Sequence, residues 1–271
     1  GTVGLNKTRP DTLTLRGASS YTGGTTVSAG TLVLTDGDNR LSSSGSLTMV
    51  NGVLDLGGNT QTTSAVISLL GGTIDNGFLS ATGIAIDARS GTVSAVLAGS
   101  AALVKTGSAF VTLSGANTYS GGTTVNEGSL LLWGGDSRLS TLSAISILGG
   151  VLDLGYHTQV TSGTITFGGG IVQNGTLNAS GTDFIAQAGT ITAVLGGDYG
   201  LVKIGNQLIT LSAANTYIGG TKVSAGTLLL SGGSNRLSTS GSIITTGGVL
   251  DLGTSSQSTS GTITFSGGVV Q

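Results

Sequence analysis

The chain has 271 residues, 50 of them glycine and none cysteine, with a formal net charge of −2 and 8% charged residues, against roughly 25% charged in an average soluble domain. That balance leaves no basic footprint for nucleic acid and no Lys or Arg run to hold anionic lipid. With 38% hydrophobic residues it is not a disordered chain either, and its glycines lack the every-third-residue period of collagen.

No apolar run approaches the ~20 residues that a membrane-crossing helix needs. The absence of cysteine suits export without disulfide errors and equally suits a reducing compartment. The chain opens without an initiator Met or signal peptide, as a processed chain or a piece of one does.

From the N-terminus onward, short aliphatic and β-branched runs alternate with Gly, Asn, Ser and Asp, the punctuation of strands and turns. Proline occurs once, at Pro10, so a ladder of strands keeps its N–H donors. Runs opening on glycine appear as GTLVL at Gly30, GVLDL at Gly52, GTID at Gly72, GTVSAVL at Gly91 and, more loosely, GSAFVTL at Gly107. The steps between these glycines are 22, 20, 19 and 16 residues, and 21 more lead to Gly128.

At that point the chain begins again. LRGASSYTGGTTVSAGTLVL from Leu15 returns as LSGANTYSGGTTVNEGSLLL from Leu113 and as LSAANTYIGGTKVSAGTLLL from Leu211. Tyr21, Tyr119 and Tyr217 are 98 residues apart, as are Asp55, Asp153 and Asp251, Arg40, Arg138 and Arg236, and Lys7, Lys105 and Lys203. Residues 111–173 and 209–271 share 41 identities in 63 without an insertion.

A 98-residue period made of about five ~20-residue turns predicts an all-β parallel β-helix, a β-solenoid of about 13–14 coils stacked at strand spacing, ~4.8 Å. One coil cannot bury its own apolar face, whereas stacked coils share a core. Strand alternation places Leu54 and Leu56 inward and Asp55 outward. An insertion would turn a strand face over, which accounts for the unbroken period. Residues 1–271 are expected as a single continuous solenoid segment, with units at about 1–12 (partial), 13–110, 111–208 and 209–271 (partial).

LVKTGSAFVTLSGANTYSGGTTVNEGSLLL, Leu103 to Leu132, resembles the autotransporter-associated β-strand repeat, or passenger-associated transport repeat. It has the Lys-x-Gly, the LSGANTYxGGT block and the closing V-x-x-G-(T/S)-L. Residues 201–230 carry the same features, while 5–34 depart from them with Arg9, Pro10 and Ser19. The resemblance implies the passenger region of an exported bacterial surface protein, folded as a right-handed parallel β-helix. Such regions act as stalks, fibres, adhesins or carriers of a distal domain.

No catalytic, cofactor or metal site is expected. The repeated acid Asp55/Asp153/Asp251 recurs once in five coils, ~24 Å apart, too far for paired-carboxylate chemistry along that row. Asp75 gives way to Gln173 and Gln271, and Asp87 has no acid at position 185. His157, the lone histidine, aligns with Asn59 and Ser255 and is read as a turn residue. The loop DGDN, Asp36 to Asn39, hints at an oxygen-rich cation site, but its equivalents are GGDS and GGSN.

Tyr21, Tyr119 and Tyr217 are read as corner residues with their hydroxyls in water, the alternative being sugar-stacking platforms. Arg40, Arg138 and Arg236 are repeated surface positions, and Trp133 a singular exposed one. Ice binding is set aside, since the threonines read as clustering near the GGTT corner once per period.

The expected function is a non-catalytic structural segment outside the cell or on the bacterial surface. Its expected partners are further copies of the repeat, stacked end to end, and environmental or host surfaces. The end residues 1–12 and 260–271 show no capping change, so the chain is expected to continue or to stack on other copies. The alternatives are a polysaccharide-acting β-helix enzyme with its active site elsewhere, and a carbohydrate-binding adhesin face.

Overall fold

A computed structural model describes the whole chain, Gly1–Gln271, which divides into two compact units, Gly1–Ser140 and Thr141–Gln271. Each is built of parallel strands stacked as a β-solenoid, and neither contains a helix.

In Gly1–Ser140 the first face runs from Leu5–Lys7 through Thr25–Val27, Leu47–Met49, Ile67–Leu69, Ala85–Ala88 and Ala102–Lys105 to Thr123–Val125. Each strand pairs in parallel with the next. Register carries Thr25 to Leu47, Ile67, Ile86, Leu103 and then Thr123, its own repeat equivalent. These steps are 22, 20, 19, 17 and 20 residues. Five coils therefore make one sequence period. The last two steps differ by one residue from the glycine spacing because Gly107 follows the end of its first-face strand by two residues, where the other glycines follow theirs by three.

After a short corner each coil adds a strand to a second face, such as Thr31–Leu34, Val53–Asp55 and Thr73–Asp75. Thr60–Thr63, Phe78–Ala81 and Val96–Ala98 form a third, shorter face. Thr141–Gln271 repeats the scheme from Ile145, stepping to Ile165, Phe184, Leu201, Thr221, Ile243 and Ile263. Several of its strands, such as Ile165–Ala179, run through the corners with register shifts rather than breaking there.

The core is a column of inward side chains, one or two per strand. Leu54 and Leu56 are fully buried, and Asp55 between them faces out, as alternation predicts. Each fully buried Leu contributes about 1.5–3 kcal/mol relative to an exposed one. In Thr141–Gln271 the core also stacks aromatics on successive coils, with Phe167 and Phe184 ring centres 5.9 Å apart and Phe184 to Tyr217 6.3 Å.

Candidate functional site

Each transport-repeat-like segment builds two corners of its own coils, one between the first and second faces around a lysine and one leading into the first face around a tyrosine and, in the second and third segments, an asparagine. Lys105 ends a first-face strand and points inward, fully buried. Its Nζ donates to the carbonyls of Thr106 at 2.7 Å and Gly107 at 2.6 Å, and to that of Glu127 in the next coil at 3.1 Å. Lys203 donates likewise to Ile204 and Gly205. Lys7 donates to Arg9 and Ala29 carbonyls and to the Asp11 carboxylate. Burial lowers the Lys105 and Lys203 pKa, while Glu127 and then Asp87 pull Lys105 the other way.

The glycine closing the motif is dictated by that ammonium. Gly128 sits at φ +64°, and a Cβ there would lie 2.3 Å from the Gly107 carbonyl oxygen and 2.7 Å from Lys105 Nζ. Gly30 and Gly226 are held in the same way by Lys7 and Lys203. Neither the backbone angle nor the space admits a side chain.

Two further polar side chains of the motif are internal. Asn117 accepts from Leu97 N at 2.7 Å through Oδ1 and donates to the Arg138 carbonyl at 2.6 Å through Nδ2, joining the coils on either side. Asn215 does the same between Leu195 and Arg236. Tyr119 and Tyr217 are fully buried, and Tyr21 is half-buried. Their hydroxyls are not in water. They meet Thr123, Thr221 and Thr25 at 2.5, 2.6 and 2.6 Å, because the stacked coils close over the corner. Burial pushes the Tyr119 and Tyr217 phenols well above their ordinary pKa, more than the threonine hydrogen bonds pull them down.

The other repeated residues serve turns. Asp55, Asp153 and Asp251 accept from the N–H of Gly57, Gly155 and Gly253 at 2.8, 2.9 and 2.8 Å. Arg40, Arg138 and Arg236 donate to carbonyls of the turn four residues before them, at Asp36, Gly134 and Gly232. The DGDN loop caps its neighbour, with Asp38 and Asn39 accepting from Thr60 N and Thr62 N at 2.8 Å each. His157 lies beside Gly175 on the adjacent coil and is half-buried. Trp133 is 58% exposed.

Two arrangements escaped the sequence reading. Asp75 replaces a glutamine and lies directly against Asp55 on the next coil. Asp153 instead accepts from Gln173 Nε2 at 2.9 Å, whereas Asp75 Oδ1 is shielded and lacks a partner. Burial, and then the Asp55 charge, raises the Asp75 pKa. The threonines, moreover, are not confined to the GGTT corner. Register brings Thr73, Thr92 and Thr112 side by side on the second face, although they are ~20 residues apart in sequence.

The Passenger-associated-transport-repeat family model matches residues 5–34, 103–132 and 201–230, the segments that carry these lysines, asparagines and tyrosines. Among curated proteins, the Adhesin BmaC autotransporter of Brucella suis biovar 1 (strain 1330) is 34% identical over 241 residues. That match covers 79% of this chain and 6% of the relative, so the chain spans a small fraction of the relative's length. No solved structure matches.

Proposed function

We propose that this chain, which carries three passenger-associated transport repeats, is a structural segment of an autotransporter passenger, a stalk or adhesin shaft outside the cell. One observation carries the reading. The repeated polar residues are consumed by the fold itself: Lys105, Asn117, Arg138 and Asp153 bond to backbone, and Tyr119 to the Thr123 hydroxyl across its own corner. A repeat whose chemistry is spent on joining coils supplies length and rigidity. The Brucella relative, an adhesin autotransporter, supports the same assignment.

The test uses intact cells expressing the natural full-length chain. Antibody raised against this segment should label unpermeabilised cells, and external protease should remove the signal. Labelling only after permeabilisation overturns the reading.

The Asp55–Asp75 pair favours a second reading, polysaccharide cleavage, because glycosidases use two neighbouring carboxylates. Release of reducing ends from a polysaccharide panel, abolished by Asp75→Asn, would establish it. No release would leave the structural reading standing.

The proposed partner is another coil of the same repeat, from this chain or another copy. It would stack as coils do within each unit, where Ile165 and Phe167 are buried beneath Phe184 and Ala186 of the following coil. Sedimentation of the 271-residue chain should show association that grows with concentration, and a concentration-independent monomer overturns this proposal.

A further inference from the structure

On the outward side of the second face of Gly1–Ser140, register sets Thr12, Thr31, Val53, Thr73, Thr92 and Thr112 in one column. Each belongs to a successive coil, ~4.8 Å from the last. Two residues further along each strand, about 6.6 Å away, runs a second column. It begins Thr14, Val33, Asp55, Asp75 and continues through Ser94 and Ser114 to Trp133. All are exposed or half-exposed, and no threonine or serine hydroxyl of either column is held in a hydrogen bond within the protein. These hydroxyls are outward polar groups that the fold does not use, whereas Asp55 Oδ1 already accepts from Gly57 N and Asn76 Nδ2.

We infer that this two-column face binds an extended neutral polysaccharide lying along the solenoid. Hydroxyls that both donate and accept match the hydroxyls of a sugar, and here they recur at every coil, as a polymer of short repeat requires. The columns contain Asp55 and Asp75 and no Lys or Arg, with Arg138 held at their edge by the Ser114 carbonyl, so acidic glycans and nucleic acid are disfavoured while sugar hydroxyls meet the second oxygen of each carboxylate. A protein partner would look for a desolvated apolar centre, whereas these columns are mostly polar, interrupted at Val33 and Val53 and ending on Leu131, the partner of Thr112. The exposed indole of Trp133, beside Ser114, gives a sugar ring an apolar face to stack on. Thr141–Gln271 offers less: its matching column is Val151, Ile171, Thr190 and Thr210, with an isoleucine where Thr73 stands.

The inference deepens the adhesin reading by naming a ligand class, and its test needs only the purified 271-residue chain. Its failure would leave surface display, measured on intact cells, untouched. Affinity electrophoresis through gels containing cellulose derivatives, xylan or β-glucan, and alginate or pectate as acidic controls, is the experiment. Migration should be retarded by at least one neutral polysaccharide and by neither acidic one. The triple variant Thr73→Val, Thr92→Val, Thr112→Val should bind at least about tenfold more weakly, a loss of ~1.4 kcal/mol or more. The single variants Thr92→Val and Trp133→Ala, both at exposed positions, should each weaken binding even if the triple variant folds poorly. No retardation by any neutral polysaccharide, stronger retardation by an acidic one, or unchanged binding in folded Thr92→Val and Trp133→Ala overturns the inference.

Discussion

The Tyr119 hydroxyl and the Thr123 Oγ1 lie 2.5 Å apart inside a corner that water does not reach. The pair bridges the Gly121-Gly122 turn and recurs as Tyr217–Thr221. A buried phenol without a partner is costly, so the threonine that follows the glycines is as much part of the corner as the tyrosine.

Tyr119→Phe should therefore destabilise by about 1–2 kcal/mol, since it leaves Thr123 buried without its partner. Tyr119→Ala should lose about 3–5 kcal/mol through the cavity. Alkali should act through the same group. With the folded phenol raised above the ordinary value near 10, the folded state keeps its proton where the unfolded chain has lost it. Stability is then full below pH ~10 and falls as pH rises beyond it. Urea melts between pH 8 and 11 should show that fall, and a smaller one in Tyr119→Phe.

Lys105→Met keeps the aliphatic stem but strands the carbonyls of Thr106, Gly107 and Glu127. A loss of about 2–4 kcal/mol is expected, as for charge-assisted hydrogen bonds with buried acceptors. Lys222→Met, on an exposed position, should change the urea midpoint by no more than about 0.5 kcal/mol equivalent.

Gly128→Ala and Gly134→Ala separate space from backbone angle. Both residues have positive φ, but a Cβ at 134 would meet only the Ser114 Cβ at 3.7 Å. Gly134→Ala should cost about 1–2 kcal/mol, the left-handed penalty alone. At Gly128 the carbonyl 2.3 Å away adds a clash, and the thermal midpoint should fall well below that of Gly134→Ala.

Much of this fold is legible in the sequence because its period is free of insertions and its strands are bounded by glycine. The inward Leu54 and outward Asp55 follow from alternation alone. The internal polar residues do not. Lys105 occupies an inward strand position, where hydrophobic patterning expects an aliphatic side chain, and the Glu127 carbonyl that completes its hydrogen bonding is brought close only by stacking. Its one sequence signal is its unbroken 98-residue step with Gly128. The Thr73–Thr92–Thr112 column is likewise invisible, since its members are joined by unequal steps of 19 and 20 residues.

Asp75→Gln should stabilise the protein at pH 7 by about 0.5–1.5 kcal/mol, because Gln173 makes the corresponding hydrogen bond to Asp153. In the parent protein the folded Asp75 pKa is raised, so the folded state holds that proton more tightly than the unfolded chain. Its contribution favours folding at acid pH and is lost as pH rises through the folded value. The stabilisation by Asp75→Gln should accordingly shrink between pH 7 and pH 4 in parallel melts.

Within Gly1–Ser140 one 98-residue period makes five coils, so that the second transport repeat returns above the first on the same face. Thr26 and Thr124 share a single outward column through Thr48, Ser68, Asp87 and Val104. Pulsed electron–electron distance measurement between spin labels at Thr26→Cys and Thr124→Cys is the most direct test. Five coil steps give a narrow distribution centred near ~24 Å. A mean below about 15 Å or above about 35 Å, outside what five strand spacings and the label linkers allow, would contradict it.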